Sequence, residues 1–332
     1  MKKIIALILV VSLLAFCFVG CGKKKKNKNE EPTPETPAAQ QTPPAPVEVT
    51  YTLATATISK ELSGRSSKIA NNFAVVIFDA AGKVVAVRFD SIESAHPTVS
   101  EGAIVLDATN LVSKVEGNYK KGQMADTWGN QAKAFENFLV GKTAAEIGAL
   151  EITNELVAGC TMVSTSYSSM VDMKALVVKA AASTKKVEFK VNEGTALTLG
   201  LGVDASATFN RSGHIEFTAN CAGTVLAGGK VVAAIVDSTV QTYTVADGVV
   251  TNPTTYTESK LVQGDDYGML GGYGSQFAEW YVQAQNYANL TVGKTVAELA
   301  NLSTNATELT GICTMASAGY KAVLIEAANN AR

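Results

Sequence analysis

Polar and apolar residues alternate through Val49-Thr-Tyr-Thr-Leu-Ala-Thr-Ala-Thr57, the period-two pattern of a half-buried strand. Phe73 to Phe78 is apolar throughout. Asp79-Ala-Ala-Gly-Lys83 then predicts a turn and Val84 to Phe89 a returning strand, which together make a hairpin. Ala103 to Leu106 reads as a further short strand, and Asp107 to Thr127 carries no clear period. The spacing changes at Trp128. From there Trp128, Ala132, Phe135, Phe138 and Leu139 form one apolar helical stripe. Gly141 is placed to end that helix in the left-handed conformation. Thr143-Ala-Ala-Glu146 has capping-box spacing and opens a short helix that turns Ile147 and Leu150 inward. Tyr167 to Ala182 predicts a closing helix.

The same succession returns. Val203 to Phe209 and Ile215 to Cys221 read as strands, and Gly229-Lys-Val-Val-Ala-Ala-Ile-Val-Asp-Ser238 mirrors Gly82-Lys-Val-Val-Ala-Val-Arg-Phe-Asp-Ser91. Gln276 to Leu290 is the counterpart helix, its Trp280, Ala284, Tyr287 and Leu290 aligning without gaps to the first stripe. Trp128 and Trp280 are the only tryptophans, and each precedes by thirteen residues the glycine of a Val-Gly-Lys-Thr (Gly141, Gly293). Thr295-Val-Ala-Glu298 repeats the capping box, and Tyr320 to Ala331 closes the chain. Strands first and helices after predicts an α+β fold. The expectation is two tandem repeats, 48–182 and 203–332, each an antiparallel sheet with helices packed on one face, joined by a linker at 183–202.

The first residues predict targeting rather than fold. Met1-Lys-Lys3 is a positive start and Ile4 to Val19 an apolar run. Phe18-Val-Gly-Cys21 resembles a bacterial lipobox, with Phe18 where leucine is usual; an ordinary secretory signal is the other reading. The expected arrangement is a signal peptide at 1–20, a lipid on Cys21 and a tether at 21–47. Lys23 to Lys26 and Lys28 suit anionic headgroups, and six of the eight prolines make the remainder an extended spacer. This anchor implies the cell membrane, lipid-tethered at its extracytoplasmic face, and membrane lipid as a partner.

Composition removes several function classes. With 28 Lys and Arg against 30 Asp and Glu, no nucleic-acid surface is expected. Cys160, Cys221 and Cys313 are an odd set without a Cys-x-x-Cys, which predicts buried free thiols. His96 and His214 are too few for a histidine-rich metal site, and no nucleophile–base pair stands out. Gly-Lys-Thr is not a Walker loop, because the required upstream glycines are Glu136 and Ala288 inside predicted helices. Gly268-Met-Leu-Gly-Gly-Tyr-Gly274 leaves two readings open, a phosphate cradle and a loop without ligand.

What remains is Glu155-Leu-Val-Ala-Gly-Cys-Thr-Met162 and its counterpart Glu308-Leu-Thr-Gly-Ile-Cys-Thr-Met315. As plain structure, the threonine caps a helix while Cys and Met fill core space. The pattern Glu155-x-x-Ala-Gly-Cys-Thr161 also resembles the Asp-x-x-Ser/Thr-Gly-Ala-Thr motif of the FMN-binding domain family. That family includes flavoprotein subunits of Rnf and sodium-pumping complexes and doubled extracellular flavin lipoproteins. The order of elements is similar over about 50–182 and 203–332. The resemblance implies FMN joined through its phosphate to Thr161 or Thr314 by a flavin transferase. It implies a site made of Thr161, Gly159, Glu155 and Cys160, and of Thr314, Glu308 and Cys313. It further implies an electron carrier, rather than a turnover enzyme, fed by a membrane electron donor. The departures are Glu155, Ala158 and Cys160 in the first copy, and Gly311 and Ile312 in the second. The rival reading is a non-catalytic surface lipoprotein that keeps the fold without flavin and binds a partner or ligand. Noncovalent uptake of a planar ligand is a third.

Overall fold

In the strand Lys68–Phe78, Phe73, Val75 and Ile77 join one core cluster while Ala74, Val76 and Phe78 join another. Every residue from Ile69 to Phe78 is buried. A strand covered on both faces has no polar side to present, so its sequence is apolar without alternation. Each of its fully buried Val, Ile or Phe side chains contributes about 1.5–3 kcal/mol relative to exposure.

The computed structural model describes residues 46–62, 68–106, 111–122, 124–272 and 277–332. The signal peptide, Cys21, nearly all of the tether and Gly274 lie outside these. Residues 46–332 form one compact unit. Its first half holds β1 (Glu48–Leu62), β2 (Lys68–Phe78), β3 (Val84–Ala95), the small hairpin β4 (Thr98–Ser100) and β5 (Ala103–Val105), then α1 (Trp128–Leu139), α2 (Ala144–Gly148) and α3 (Met170–Ala182). After these come β6 (Val187–Asn192), β7 (Leu197–Phe209), β8 (Ile215–Ala227), β9 (Lys230–Ala246) and β10 (Val249–Thr251). The helices α4 (Lys260–Gln263), α5 (Trp280–Asn289), α6 (Val296–Leu299) and α7 (Ala318–Asn329) complete the chain.

The fold is α+β. One sheet has the order β3-β2-β1-β6 and the other β10-β9-β8-β7, each antiparallel throughout. Helices α1 and α3 cover the first sheet. Helices α5 and α7 cover the second. The uncovered faces meet each other. A Cβ at Gly223 would lie 2.7 Å from Val75, and the hydroxyls of Thr55 and Thr57 approach Cys221 Sγ at 3.6 and 3.7 Å. The layers therefore run helices, sheet, sheet, helices, around a core shared by both halves.

This stacking changes several expectations. Strand β1 is buried continuously from Leu53 to Thr57 rather than half-buried, because helices lie on one side and the second sheet on the other. The stretch expected as a linker carries β6 and the start of β7. Strand β6 pairs antiparallel with β1, with Phe189 opposite Tyr51 and their rings stacked at 5.7 Å. Helix α3 starts at Met170 rather than Tyr167, since Ser169 Oγ accepts from Val171 N and Asp172 accepts from Ser169 N. Helix α5 likewise starts later, at Trp280, whereas α7 starts at Ala318, two residues before the expected Tyr320.

Both Val-Gly-Lys-Thr segments are helix punctuation. Gly141 and Gly293 have φ +81° and +83°. Thr143 and Thr295 form capping boxes with Glu146 and Glu298. The same segments pair with a strand. Gly141 N donates to Val84 O and Val84 N to Lys142 O, and Gly293 N donates to Val231 O and Val231 N to Lys294 O, all at 2.8–2.9 Å.

Candidate functional site

Two buried aspartates organise the approach to the site. Asp90 accepts from Ser91 N (2.7 Å) and Val115 N (3.3 Å) at Oδ1, and from Ser113 Oγ (2.5 Å) at Oδ2. Asp237 Oδ1 accepts from Ser238 N (2.7 Å) and Leu261 N (3.1 Å). Burial pushes both carboxyls up to about 6 against these donors. Each aspartate thereby pins a Ser-Lys turn, Ser113-Lys114 or Ser259-Lys260, to the middle of a core strand. The lysine ammonium is held beside two aromatic rings. Lys114 Nζ is 4.5 Å from the Tyr119 ring centre and 5.7 Å from that of Trp128. Lys260 Nζ is 5.0 Å from Tyr267 and 5.4 Å from Trp280. The indole N–H groups donate to Ser168 O (3.0 Å) and Tyr320 Oη (3.1 Å).

One helical turn after each tryptophan a buried glutamine grips the threonine of the Cys-Thr-Met turn. Gln131 Oε1 accepts from Thr161 N at 2.7 Å and from Thr161 Oγ1 at 3.3 Å. Gln283 Oε1 accepts from Thr314 N at 2.8 Å and from Thr314 Oγ1 at 2.9 Å. A backbone N–H can only donate, so the amide oxygen must face the threonine. The amide nitrogens then donate to Asp126 O (2.9 Å) and Ala278 O (2.7 Å). Both threonines are exposed beyond the clamp. Thr161 Oγ1 also accepts from Ala125 N at 3.4 Å, and Thr161 O accepts from Tyr167 Oη at 3.3 Å.

The other expected site residues play different parts. Gly159 and Gly311 have φ +78° and +77°, so each turn passes a left-handed residue that glycine adopts without strain. In the first turn Cys160 N donates to Val157 O, three residues back. In the second, Cys313 N donates to Leu309 O, four residues back, with Ile312 inserted after the left-handed glycine. Cys160 Sγ donates to Gln131 O at 3.3 Å. Burial raises the Cys160 and Cys313 thiols above their ordinary pKa, which keeps them neutral core groups. Glu308 accepts from Ser303 Oγ (2.6 Å) and Asn305 Nδ2 (3.2 Å) and so closes its own loop. Glu155 is exposed, and its neighbour Asn154 lines the cavity instead.

That cavity has a volume of about 490 Å³ and is lined by Lys114, Tyr119, Lys121, Met124, Trp128, Asn154, Thr161 and Tyr167. It lies within the range of roughly 300–1,000 Å³ that accommodates small-molecule ligands. Lys114 is neutralised by an ion pair with buried Glu93, whose Oε1 also accepts from Ser168 Oγ at 3.1 Å. Lys121 Nζ, 5.5 Å from the Tyr119 ring, remains an exposed cation at the rim. In the second half the glycine-rich loop has already found its anion: the N–H groups of Met269 and Leu270 donate to Glu279 at 2.8 and 3.0 Å. Their phosphate reading is displaced by this internal carboxylate.

The two glutamines and the two Ser-Lys turns are absent from the sequence-derived site. Their signal was present, since Gln131 and Gln283 both follow a tryptophan by three residues and Ser-Lys precedes each tryptophan. Replacing Gln131 with leucine leaves Thr161 N–H and Oγ1 without their acceptor. The expected outcome is a loss of about 1–3 kcal/mol in unfolding free energy, measured by urea denaturation, with Thr161 proteolytically more accessible. No known family model matches the chain, and neither the curated proteins nor the solved structures contain one significantly similar to it.

Proposed function

We propose that the chain is a membrane-anchored extracytoplasmic electron-transfer flavoprotein, carrying FMN esterified to Thr161 and built from two copies of one module. The observation that carries this reading is an exposed threonine hydroxyl at the rim of an aromatic cavity of ligand size. The residues present suit the group. Tyr119, Trp128 and Tyr167 give flat apolar walls. Lys121 supplies a cation near the rim for a phosphate, and Gln131 fixes the backbone on which Thr161 is presented. When bound, the isoalloxazine supplies reversible electron uptake. Tyr119, Trp128 and Tyr167 would orient the group, and burial keeps the neighbouring Cys160 thiol neutral.

The duplication is supported by matching local geometry. The Asp-anchored Ser-Lys turn, the tryptophan beside its lysine, the glutamine clamp and the strand-paired Val-Gly-Lys-Thr occur in both halves. A flavin transferase loads the threonine in this reading, a lipid on Cys21 holds the chain at the membrane, and a membrane electron donor reduces it. No nucleic acid is a partner. The second half favours the rival reading, a module that keeps the fold without a covalent flavin, because its turn is one residue wider before Thr314.

The test is purification from the native host followed by visible spectroscopy and intact mass. Flavin absorbance, with an added FMN mass that Thr161→Ala abolishes, is the expected result. A colourless chain without added mass would sink the reading.

A further inference from the structure

The cavity of the first half has a charged side chain in its inner wall. Lys114 lines it although the residue is only 3% exposed. The lysine backbone is fixed on both sides, with Lys114 N donating to Ser91 O (3.0 Å) and Lys114 O accepting from Tyr119 N (3.1 Å). Its ammonium donates to Glu93 Oε1, which also accepts from Ser168 Oγ at 3.1 Å. Ser168 O in turn accepts the Trp128 indole N–H at 3.0 Å, and the Trp128 ring lies back against the ammonium, 5.7 Å away. These contacts close on themselves and hold Nζ in one place. An ammonium has three N–H donors, and among the described residues Glu93 is the acceptor that Lys114 Nζ meets. The Tyr119 and Trp128 rings attract the cation but replace a hydrogen-bond acceptor only in part. Burial lowers the Lys114 pKa while Glu93 opposes that shift, so one carboxylate offsets only part of the desolvation.

We infer that Lys114 is a specificity-determining donor of this cavity, selecting planar ring systems that present a carbonyl edge to Nζ over ring systems of the same size without one. Tyr119, Trp128 and Tyr167 accept any flat ring. A few fixed polar groups set orientation in a largely apolar pocket, and Lys114 is such a group. Lys121 stands exposed at the rim and suits an anionic tail, whereas Lys114 is locked beside two of the rings. Pairing with Glu93 leaves the inner wall without net charge, so a neutral carbonyl oxygen is a sufficient acceptor there. The inference rests on reading the cavity as a flavin-type site, since a flavin ring carries such an edge, but not on covalent attachment.

Lumiflavin and phenazine are flat three-ring molecules of similar size, and only lumiflavin carries carbonyl groups, so they are the probes. Each is titrated calorimetrically into the full chain produced in a host without a flavin transferase. Lumiflavin is expected to bind at least about tenfold more tightly than phenazine, the size of one hydrogen bond to a charged group. This comparison on the wild type needs no variant to fold. Glu93→Gln keeps an acceptor for Lys114 and should keep the preference. Lys114→Met combined with Glu93→Gln removes the donor without leaving a buried carboxylate unpaired, and it should lose the preference while melting as a folded chain. The inference is overturned if neither ligand binds, if both bind equally, if Glu93→Gln alone abolishes the preference, or if the preference survives the loss of Lys114. A chain that shows the preference but carries no flavin on Thr161 when taken from its native host would overturn the covalent reading and leave this one standing.

Discussion

Glu136→Ala is expected to lower the unfolding free energy by about 3–5 kcal/mol, the cost of stripping one partner from a buried ion pair. Glu136 is buried in α1. Its Oε1 accepts from Phe89 N at 3.0 Å, and its Oε2 accepts from Arg88 Nη1 at 3.3 Å and Arg332 Nη2 at 2.8 Å. Arg88 reaches across the halves, donating from Nε to Leu199 O at 3.1 Å and from Nη2 to the carbonyl of Arg332. Leu199 and Arg332 also exchange backbone hydrogen bonds at 3.3 and 3.2 Å. Burial pushes the Glu136 carboxyl up while Arg332 and Arg88 pull it down. Without it, the Arg88 charge stays in the seam unpaired and Phe89 N–H loses its acceptor. A lower urea midpoint at unchanged m-value is the measurement. Glu136→Gln keeps an acceptor for Phe89 N and should lose less. Equal stability of wild type and Glu136→Ala would mean that this clamp does not hold the halves together.

Gly202→Val should cost at least about 3 kcal/mol, beyond ordinary overpacking, because the obstacle is backbone and not a side chain that can turn away. A Cβ at Gly202 would lie 2.1 Å from Val323 O and 2.7 Å from Ala327 N, and one at Gly200 only 1.7 Å from Ala327 O. Helix α7 therefore packs directly on the backbone of β7. Forcing it outward also moves Tyr320, which accepts the Trp280 indole N–H. Thermal unfolding and the near-ultraviolet circular dichroism of Trp280 should change together. Gly148→Ala is the control, since its Cβ would meet only Val178 at an ordinary 3.5 Å. If Gly202→Val melts with the wild type, α7 is not seated as described.

The elements with strong local signals were legible. Period two located β1, an unbroken apolar run followed by turn residues located the β2–β3 hairpin, and period 3.6 with its stop and start residues located α1, α2 and their counterparts. Helix starts at Met170 and Trp280 were placed three and four residues early, and that at Ala318 two residues late. The Ser169 cap, which holds back the start of α3, accounts for the first. Strand β6 was missed for another reason. Val187-Glu-Phe-Lys-Val-Asn192 is a short edge strand whose partner, β1, lies more than a hundred residues earlier. No local periodicity identifies a partner at that distance.

The candidate site divides in the same way. Thr161 and Thr314 were found because a repeated motif marks them. Gln131, Gln283, Lys114 and Lys260 were not, since a glutamine on a helix and a lysine in an irregular stretch look like surface residues. Folding buries all four. Sequence alone determined the order of strands and helices, the helix stops at Gly141 and Gly293, and the threonines on which chemistry is proposed. These depend on interactions within a few residues, where propensity and capping act. Only the tertiary structure decided that the two sheets share a core, that β6 joins the first sheet, and that Lys114 meets Glu93 while Lys260 lies beside the Tyr267 and Trp280 rings. Those outcomes depend on which distant surfaces exclude water together, and a linear pattern records only that a surface is apolar, not what will cover it.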